Sequence, residues 1–351
     1  MNFLSHLTET QQLLLFGALK VIGGFAVLMF FVAYVVLVER KLCAAIQDRI
    51  GPNRAGPFGI WQPVSDAVKA FLKEDFMPAH VRPVYFWLAP AVVMLPGLLA
   101  LAVIPFGSTL GNPGNPMVIA DLNVGILYTF GIVSLGVYGI VLAGYAANSK
   151  YPFMGGIRSS AQMISYEIAM GLSVIPVFLL VGDLNLGAVI EHQAHSLFDW
   201  LVFRQPLAFA IFLAAAFAET NRLPFDLPEA EQELAGGYNV EYSSIKFALF
   251  FMGEYANMIL ASAMMVTLFF GGWTLPWFGL DQPAAGVVMG LVHILIFLGK
   301  LVLFLIMFIW VRWMWPRFRY DQLMNLGWKR FVPLALANIV VTATWLWLKA
   351  A

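Results

Sequence analysis

Two carboxylates lie where carboxylates are costly. Glu167 falls in an apolar stretch at about 159–182, and Glu254 in another at about 243–270. An acid at a bilayer centre costs about 2.5–3.5 kcal/mol on insertion scales, so such a residue faces a protein interior or a wet cavity and reads first as functional. The plainer alternative is a hydrogen bond between helices. Glu254 is eleven residues into its stretch, or roughly 17 Å at 1.5 Å per residue. An acidic stem is too short to snorkel that far. Lys300, also inside an apolar stretch, is a candidate partner or a structural lysine facing water.

Between about 219 and 242 the chain gathers Glu219, Asp226, Glu229, Glu231, Glu233 and Glu241 around one cation, Arg222. A solvated acidic loop is one reading, since topology follows Lys and Arg rather than net charge. Both ends abut apolar stretches, however, and dense like charge near low dielectric favours proton exchange. An earlier segment carries Arg40, Arg49, Asp66 and Lys69. Within it Ile60, Trp61, Val64, Ala67, Val68, Phe71 and Leu72 recur at helical spacing opposite Gln62, Ser65, Asp66, Lys69 and Lys73. That pattern predicts an amphipathic helix over about 60–74, lying in the membrane interface. On its own, such a helix could be a plain surface anchor.

Other chemistries lack their residues. Cys43 is the single cysteine, which leaves no intramolecular disulfide, thiolate zinc site or iron–sulfur cluster. His192 and His195 have a ligand spacing without the third or fourth donor a metal needs. No Walker loop and no GxGxxG fingerprint occurs. The expected site therefore has no bond-making catalytic residue, metal or cofactor held by this chain. Redox chemistry, if present, belongs to a partner.

The elements that must carry these residues follow from composition. Of 351 residues, 61% are hydrophobic and 11% charged, against roughly 25% charged in soluble domains. This marks an all-α polytopic membrane protein. It excludes a secreted disulfide scaffold, a disordered regulator and a basic nucleic-acid binder. Apolar stretches at about 11–38, 84–105, 124–147, 159–182, 200–219, 243–270, 286–311 and 330–349 are each near the ~20 residues a spanning helix needs. They predict eight transmembrane helices in one membrane domain, 1–351. Sixteen of the 20 Lys and Arg fall in 39–83, 148–158, the 219–246 region and 312–330, with only Arg204 and Lys349 on the other side. The functional loops 39–83, 148–158, 220–242 and 312–329 are therefore cytoplasmic, and both termini are outside.

Several strings now combine: Glu39-Arg-Lys, Arg49-Ile-Gly-Pro-Asn-Arg, Ser65-Asp-Ala-Val-Lys-Ala-Phe, Ser165-Tyr-Glu, Ala218-Glu-Thr-Asn-Arg-Leu-Pro-Phe-Asp, Phe247-Ala-Leu-Phe-Phe-Met-Gly-Glu-Tyr and Arg317-Phe-Arg-Tyr-Asp-Gln-Leu-Met. In this order and spacing, over roughly residues 12–348, the sequence resembles the H subunit family of respiratory complex I, called NADH dehydrogenase subunit 1 in mitochondria. The resemblance implies eight tilted helices at the junction of the membrane and hydrophilic arms. It implies that the chain forms the membrane part of a quinone tunnel. Electrons would come from an iron–sulfur cluster in soluble partner subunits, which also carry FMN. Small membrane subunits and antiporter-like subunits are the further partners implied, with lipid around them and no nucleic acid.

By motif, Arg40, Arg49, Asp66 and Lys69 match positions near the tunnel, and Arg222, Asp226, Arg317 and Arg319 match charged positions around its chamber. Glu167, Glu219 and Glu254, with Glu229, Glu231 and Glu233, match an acidic path toward the antiporter-like subunits. Segment 187–200 carries nothing over. A bacterial inner membrane is expected rather than a mitochondrial one. Two rivals make different predictions. A lone transporter would show internal repeats, and none is visible. An inert anchor would lose only stability when its buried acids are changed.

Overall fold

The computed structural model describes residues 9–109, 116–227, 236–277, 279–284 and 286–350, without the side chains of 9–16 and 19. Glu229, Glu231 and Glu233 lie outside the described residues. The chain is an all-α polytopic bundle. Its only sheet among the described residues is a short antiparallel pair, β1 (Gly107–Thr109) and β2 (Pro116–Met117). Among the described residues, seven helical stretches are long and apolar enough to cross a membrane: Lys20–Ile46, Pro83–Val103, Gly125–Ala146, Lys150–Val181, Ser244–Phe269, Val287–Met314 and Tyr320–Ala350.

The eighth expected span, 200–219, differs. It breaks into α8 (Leu201–Arg204) and α9 (Pro206–Glu219). Pro206 has no N–H to donate and pushes the preceding residue out of helical geometry. Gln205 accordingly sits at φ −134°, ψ 58°. At 14 residues, α9 is roughly 21 Å long, shorter than the ~30 Å hydrocarbon core. It is enclosed, with Ala208, Ile211, Phe212, Ala215, Ala216 and Ala218 buried.

Several boundaries also shift. α1 (Glu9–Ile46) continues past 38, so Glu39, Arg40 and Cys43 ride on a helix rather than a loop. The expected loop 148–158 is mostly the first turns of α6 (Lys150–Val181). The expected loop 312–329 contains α12 (Tyr320–Leu326) and runs through a π-helical turn, Gly327–Phe331, into α13 (Val332–Ala350). Helix α2 (Gln62–Leu72) matches the interfacial helix and buries no residue. Val64, Val68, Phe71 and Leu72 stay exposed, as suits a face meant for lipid.

The remaining α-helices among the described residues are α3 (Pro83–Ala100), α4 (Gly125–Val133) with α5 (Leu135–Ala146), the short α7 (Leu186–His192), α10 (Ser244–Phe269) and α11 (Val287–Met314). Small residues allow close helix approach where no hydrophobic force favours one helix over lipid. A Cβ at Gly144 of α5 would stand 2.6 Å from the Pro152 carbonyl oxygen of α6. α10 is the innermost span, with two-thirds of its apolar window enclosed.

Candidate functional site

The charged residues converge at one end of the bundle. α1 brings Glu39, which follows the buried Leu28, Val32 and Val35 on one stripe at helical spacing. α10 brings Glu254 and Tyr255. The turn after α9 brings Arg222, and the end of α11 brings Arg312. Arg222 Nη1 donates to Glu39 Oε1 and Oε2 at 3.0 and 3.2 Å. Its Nε lies 2.6 Å from Glu254 Oε1, a close charge contact rather than an aligned hydrogen bond. Tyr255 donates its hydroxyl to Glu39 Oε2 at 2.7 Å, and Arg312 Nη1 donates to Glu39 Oε1 at 2.6 Å. The Arg222 guanidinium also stands 4.6 Å over the Tyr255 ring.

Two carboxylates and two guanidiniums thus balance in a largely dry setting. Burial would lower the Arg222 pKa, but Glu254, Tyr255 and Glu39 outweigh it and push the pKa up. Arg222 remains a cation. Beside it, Arg317 Nη2 donates to Asp226 Oδ2 at 2.8 Å, and Phe225 stacks on Phe318 with centroids 5.4 Å apart.

Glu39 and Arg312 also line a cavity of about 1270 Å³ between α1, α2 and α10. Its walls are mostly apolar, including Val32, Val36, Phe71, Phe247 and Met252, and its polar groups include Arg40, Arg49, Asp66 and Lys69. Arg40 Nη1 donates to Asp66 Oδ2 at 2.6 Å, and Gln62 donates to Asp66 Oδ1 at 2.9 Å. Arg49 donates to Gln47 at 2.8 Å. The far end of α2 is tied to the start of α10, where the Ser244 hydroxyl contacts the Ala70 and Lys73 carbonyls at 2.9 Å. Lys246, buried over Trp87, pairs there with Asp75 at 2.9 Å.

A second, small cavity of about 20 Å³ lies deeper. It is lined by Glu219, Thr220, Asn221, Glu254 and Asn257 among apolar side chains. This is about one water's worth of space. Neither carboxyl oxygen of Glu219 has a hydrogen-bond partner among the described residues. Glu167 is near enough to act on Glu219 electrostatically and is in hydrogen-bond contact with Ser134 Oγ.

Of the residues singled out from sequence, Arg40, Arg49, Asp66 and Lys69 meet around the large cavity. Arg222 and Glu254 meet in the charged cluster, with Asp226 and Arg317 paired alongside. Arg319 does not join them: it is largely exposed and pairs with Asp321 at 3.1 Å. Lys300 is not a partner of the acids. Its Nζ donates to the carbonyls of Phe270, Gly272 and Thr274 at 2.7, 2.9 and 2.7 Å. Gly271 and Gly272, at φ 67° and 53°, turn the chain so that these three carbonyls converge.

Sequence reasoning missed Glu39, Arg312 and Tyr255 as site residues. The signal for Glu39 was present, since it extends the buried stripe of α1 at i+4 and i+7 from Val35 and Val32. Tyr255 closes the motif string ending Gly-Glu-Tyr, but nothing local ties it or Arg312 to Glu39, which lies 216 and 273 residues away along the chain.

Comparison with known proteins agrees with the resemblance. The family model described as NADH dehydrogenase matches residues 19–343. An H subunit of NADH-quinone oxidoreductase from Cytophaga hutchinsonii is 47% identical over 336 residues, covering 94% of this chain and 96% of the relative. The H subunit of the same enzyme from Ehrlichia chaffeensis is 47% identical over 350 residues, covering 98% and 92%. NADH-quinone oxidoreductase subunit 8 of Rhodothermus marinus is 48% identical over 315 residues, covering 88% and 90%. With its helices, motifs and nearly full-length similarity in agreement, the chain belongs to the NADH dehydrogenase family of membrane subunits.

Proposed function

We propose that this chain is the membrane subunit of a proton-pumping NADH:quinone oxidoreductase, and that it forms the membrane part of the quinone tunnel and the start of an acidic path leading from it. The observation that carries this reading is the large cavity: apolar for most of its wall, flanked by an interfacial helix, and charged at Glu39, Arg40, Arg49, Asp66 and Arg312. An isoprenoid quinone needs an apolar corridor and a few polar groups at its reactive end. Reduction to the quinol takes two electrons and two protons. The electrons come from iron–sulfur and flavin partners in the hydrophilic arm, which this chain does not carry.

This chain's part is electrostatic. Charge developing on the head group acts on Arg40, Arg49 and Arg312, and so on Glu39. Glu39 holds Arg222, Arg222 holds Glu254, and Glu254 shares the small cavity with Glu219. Glu167 follows on α6. A change at the head group is therefore felt electrostatically through Glu39 and Arg222 at Glu254, and beyond it the carboxyls of Glu219 and Glu167 are the groups that would exchange protons. By motif, Glu229, Glu231 and Glu233 belong to the same acidic path; they lie outside the described residues. The chain sits in a bacterial inner membrane with its charged loops in the cytoplasm, consistent with the Lys/Arg asymmetry.

The test is photolabelling of the complex purified gently from its native membrane. A photoreactive quinone analogue is expected to label the peptides bearing Phe71, Phe247 or Met252, and excess quinone to suppress the labelling. Iron–sulfur subunits should copurify. Labelling confined to other spans, or a chain that purifies alone, would refute the reading.

A further inference from the structure

Arg222 bridges the cluster from a non-helical turn, so something must hold that turn in place. Gln162, midway along α6 and fully buried, does so from below. Its Nε2 donates to the carbonyls of Ala218 and Phe225, each at 2.8 Å, and lies 3.3 Å from Asn221 Oδ1. Both short contacts are to carbonyls, which only accept. The atom facing them is therefore the amide NH2, and the orientation of the side chain is set. Its Oε1 is buried without a partner among the described residues, so the contacts seen are those of its donors.

One amide thus ties both ends of the turn 218–225 while Arg222 projects from its apex. The turn is also fixed by Arg222 N donating to the Phe217 carbonyl at 3.2 Å and Phe225 N donating to the Arg222 carbonyl at 2.8 Å. On the same helix, Tyr166 packs against Phe225 with centroids 5.5 Å apart. Glu167 lies five residues beyond Gln162, roughly 7.5 Å along the axis. α6 is accordingly the element that touches both the acids and the Arg222 turn, and Gln162 is its polar grip on that turn.

We propose that Gln162 is a positioning residue that sets where Arg222 stands between Glu39 and Glu254, linking the acids beside α6 to the quinone-side cluster. The proposal rests on the functional reading above. It adds a residue that contacts neither cavity and carries no charge.

The experiment is a double-mutant cycle in membranes containing the intact complex, with Gln162→Met, Arg222→Met and the double variant. Met keeps the length and volume of Gln and removes both donors. KM and kcat are measured for a short-chain quinone per assembled complex, with NADH–ferricyanide reductase as the control. Gln162→Met is expected to lower quinone kcat/KM at least fivefold with ferricyanide activity intact. The double variant is expected to be no worse than Arg222→Met alone, because residues acting through one another are not additive.

Wild-type quinone kinetics in Gln162→Met, or a double variant in which the losses multiply, overturns the proposal. A purely structural role would lower the amount of complex and leave its KM unchanged, which also overturns it. Should Gln162→Met not assemble, Gln162→Asn keeps the amide on a stem one methylene shorter and is expected to give assembled complex with a raised quinone KM. Failure of both to assemble makes the residue structural and ends the proposal. If Arg222→Met itself leaves quinone kinetics at wild type, the functional reading falls first and takes this inference with it.

Discussion

Glu39→Gln is the sharpest test of the charged cluster. Glu39 is 5% exposed and carries one of two negative charges set against Arg222 and Arg312. Gln keeps the shape but leaves the cluster one positive charge in excess. A neutral amide oxygen can still accept from the two guanidiniums that share Oε1 at 3.0 and 2.6 Å, but the charge is gone and the amide NH2 replaces the second acceptor. Two unit charges about 4 Å apart interact by about 4 kcal/mol at an effective dielectric of 20. Removing one partner of a buried pair costs about 3–5 kcal/mol by experience. The Arg312 share is discounted because that side chain is 44% exposed and solvent screens it.

If a third of about 4 kcal/mol falls on the quinone step, the rate constant drops about tenfold. The neighbouring Arg40 is the internal control. Its pair with Asp66 is 45% and 36% exposed, which places it at about 0–1 kcal/mol, or at most about fivefold. The assay is quinone kcat/KM per assembled complex, with NADH–ferricyanide activity as reference. Glu39→Gln is expected to lose at least tenfold and Arg40→Met clearly less. The reverse order would refute the argument that burial, rather than motif membership, decides which charge matters.

Other outcomes follow from the same contacts. Glu254→Gln should assemble yet lose quinone turnover and proton pumping in reconstituted vesicles, because Gln cannot cycle a proton; wild-type rates and stoichiometry would remove Glu254 from the path. Lys300→Met leaves three carbonyls without their donor, each a cost of about 1–3 kcal/mol when buried, so thermal inactivation should come earlier while the proton-to-electron ratio per surviving complex stays at wild type; a changed ratio would place Lys300 on the proton path. Arg319→Met should be silent in quinone kinetics, given its exposed position. A reporter fused after Ala351 should appear outside the cytoplasm and one inserted near Asn53 inside, and a cytoplasmic C-terminus would refute the eight-span topology that the Lys/Arg asymmetry implies.

Composition and local pattern were enough for the class of the protein and most of its helices. Hydropathy is a sum over neighbouring residues, so a stretch such as 286–311 declares itself without knowledge of its surroundings. The interfacial helix was legible for the same reason, since an amphipathic stripe is a local period. The motif strings, read in order, identified the family. The break at Pro206 was visible in the sequence, yet the apolar count across 200–219 did not show that the stretch divides into a short turn of helix and an enclosed 14-residue helix.

Which charges meet was settled by packing. Glu39 and Arg222 are 183 residues apart, Glu39 and Tyr255 216, and Glu39 and Arg312 273. No periodicity spans such distances, because ion pairs of this kind are made by helices that pack together and not by chain neighbours. The same physics separated Lys300 from the acids. A buried ammonium takes whichever oxygens the fold presents, and here the fold presents three carbonyls at a glycine turn. Gln162 was silent in the sequence because an uncharged amide in an apolar helix announces nothing until the turn it holds is packed against it.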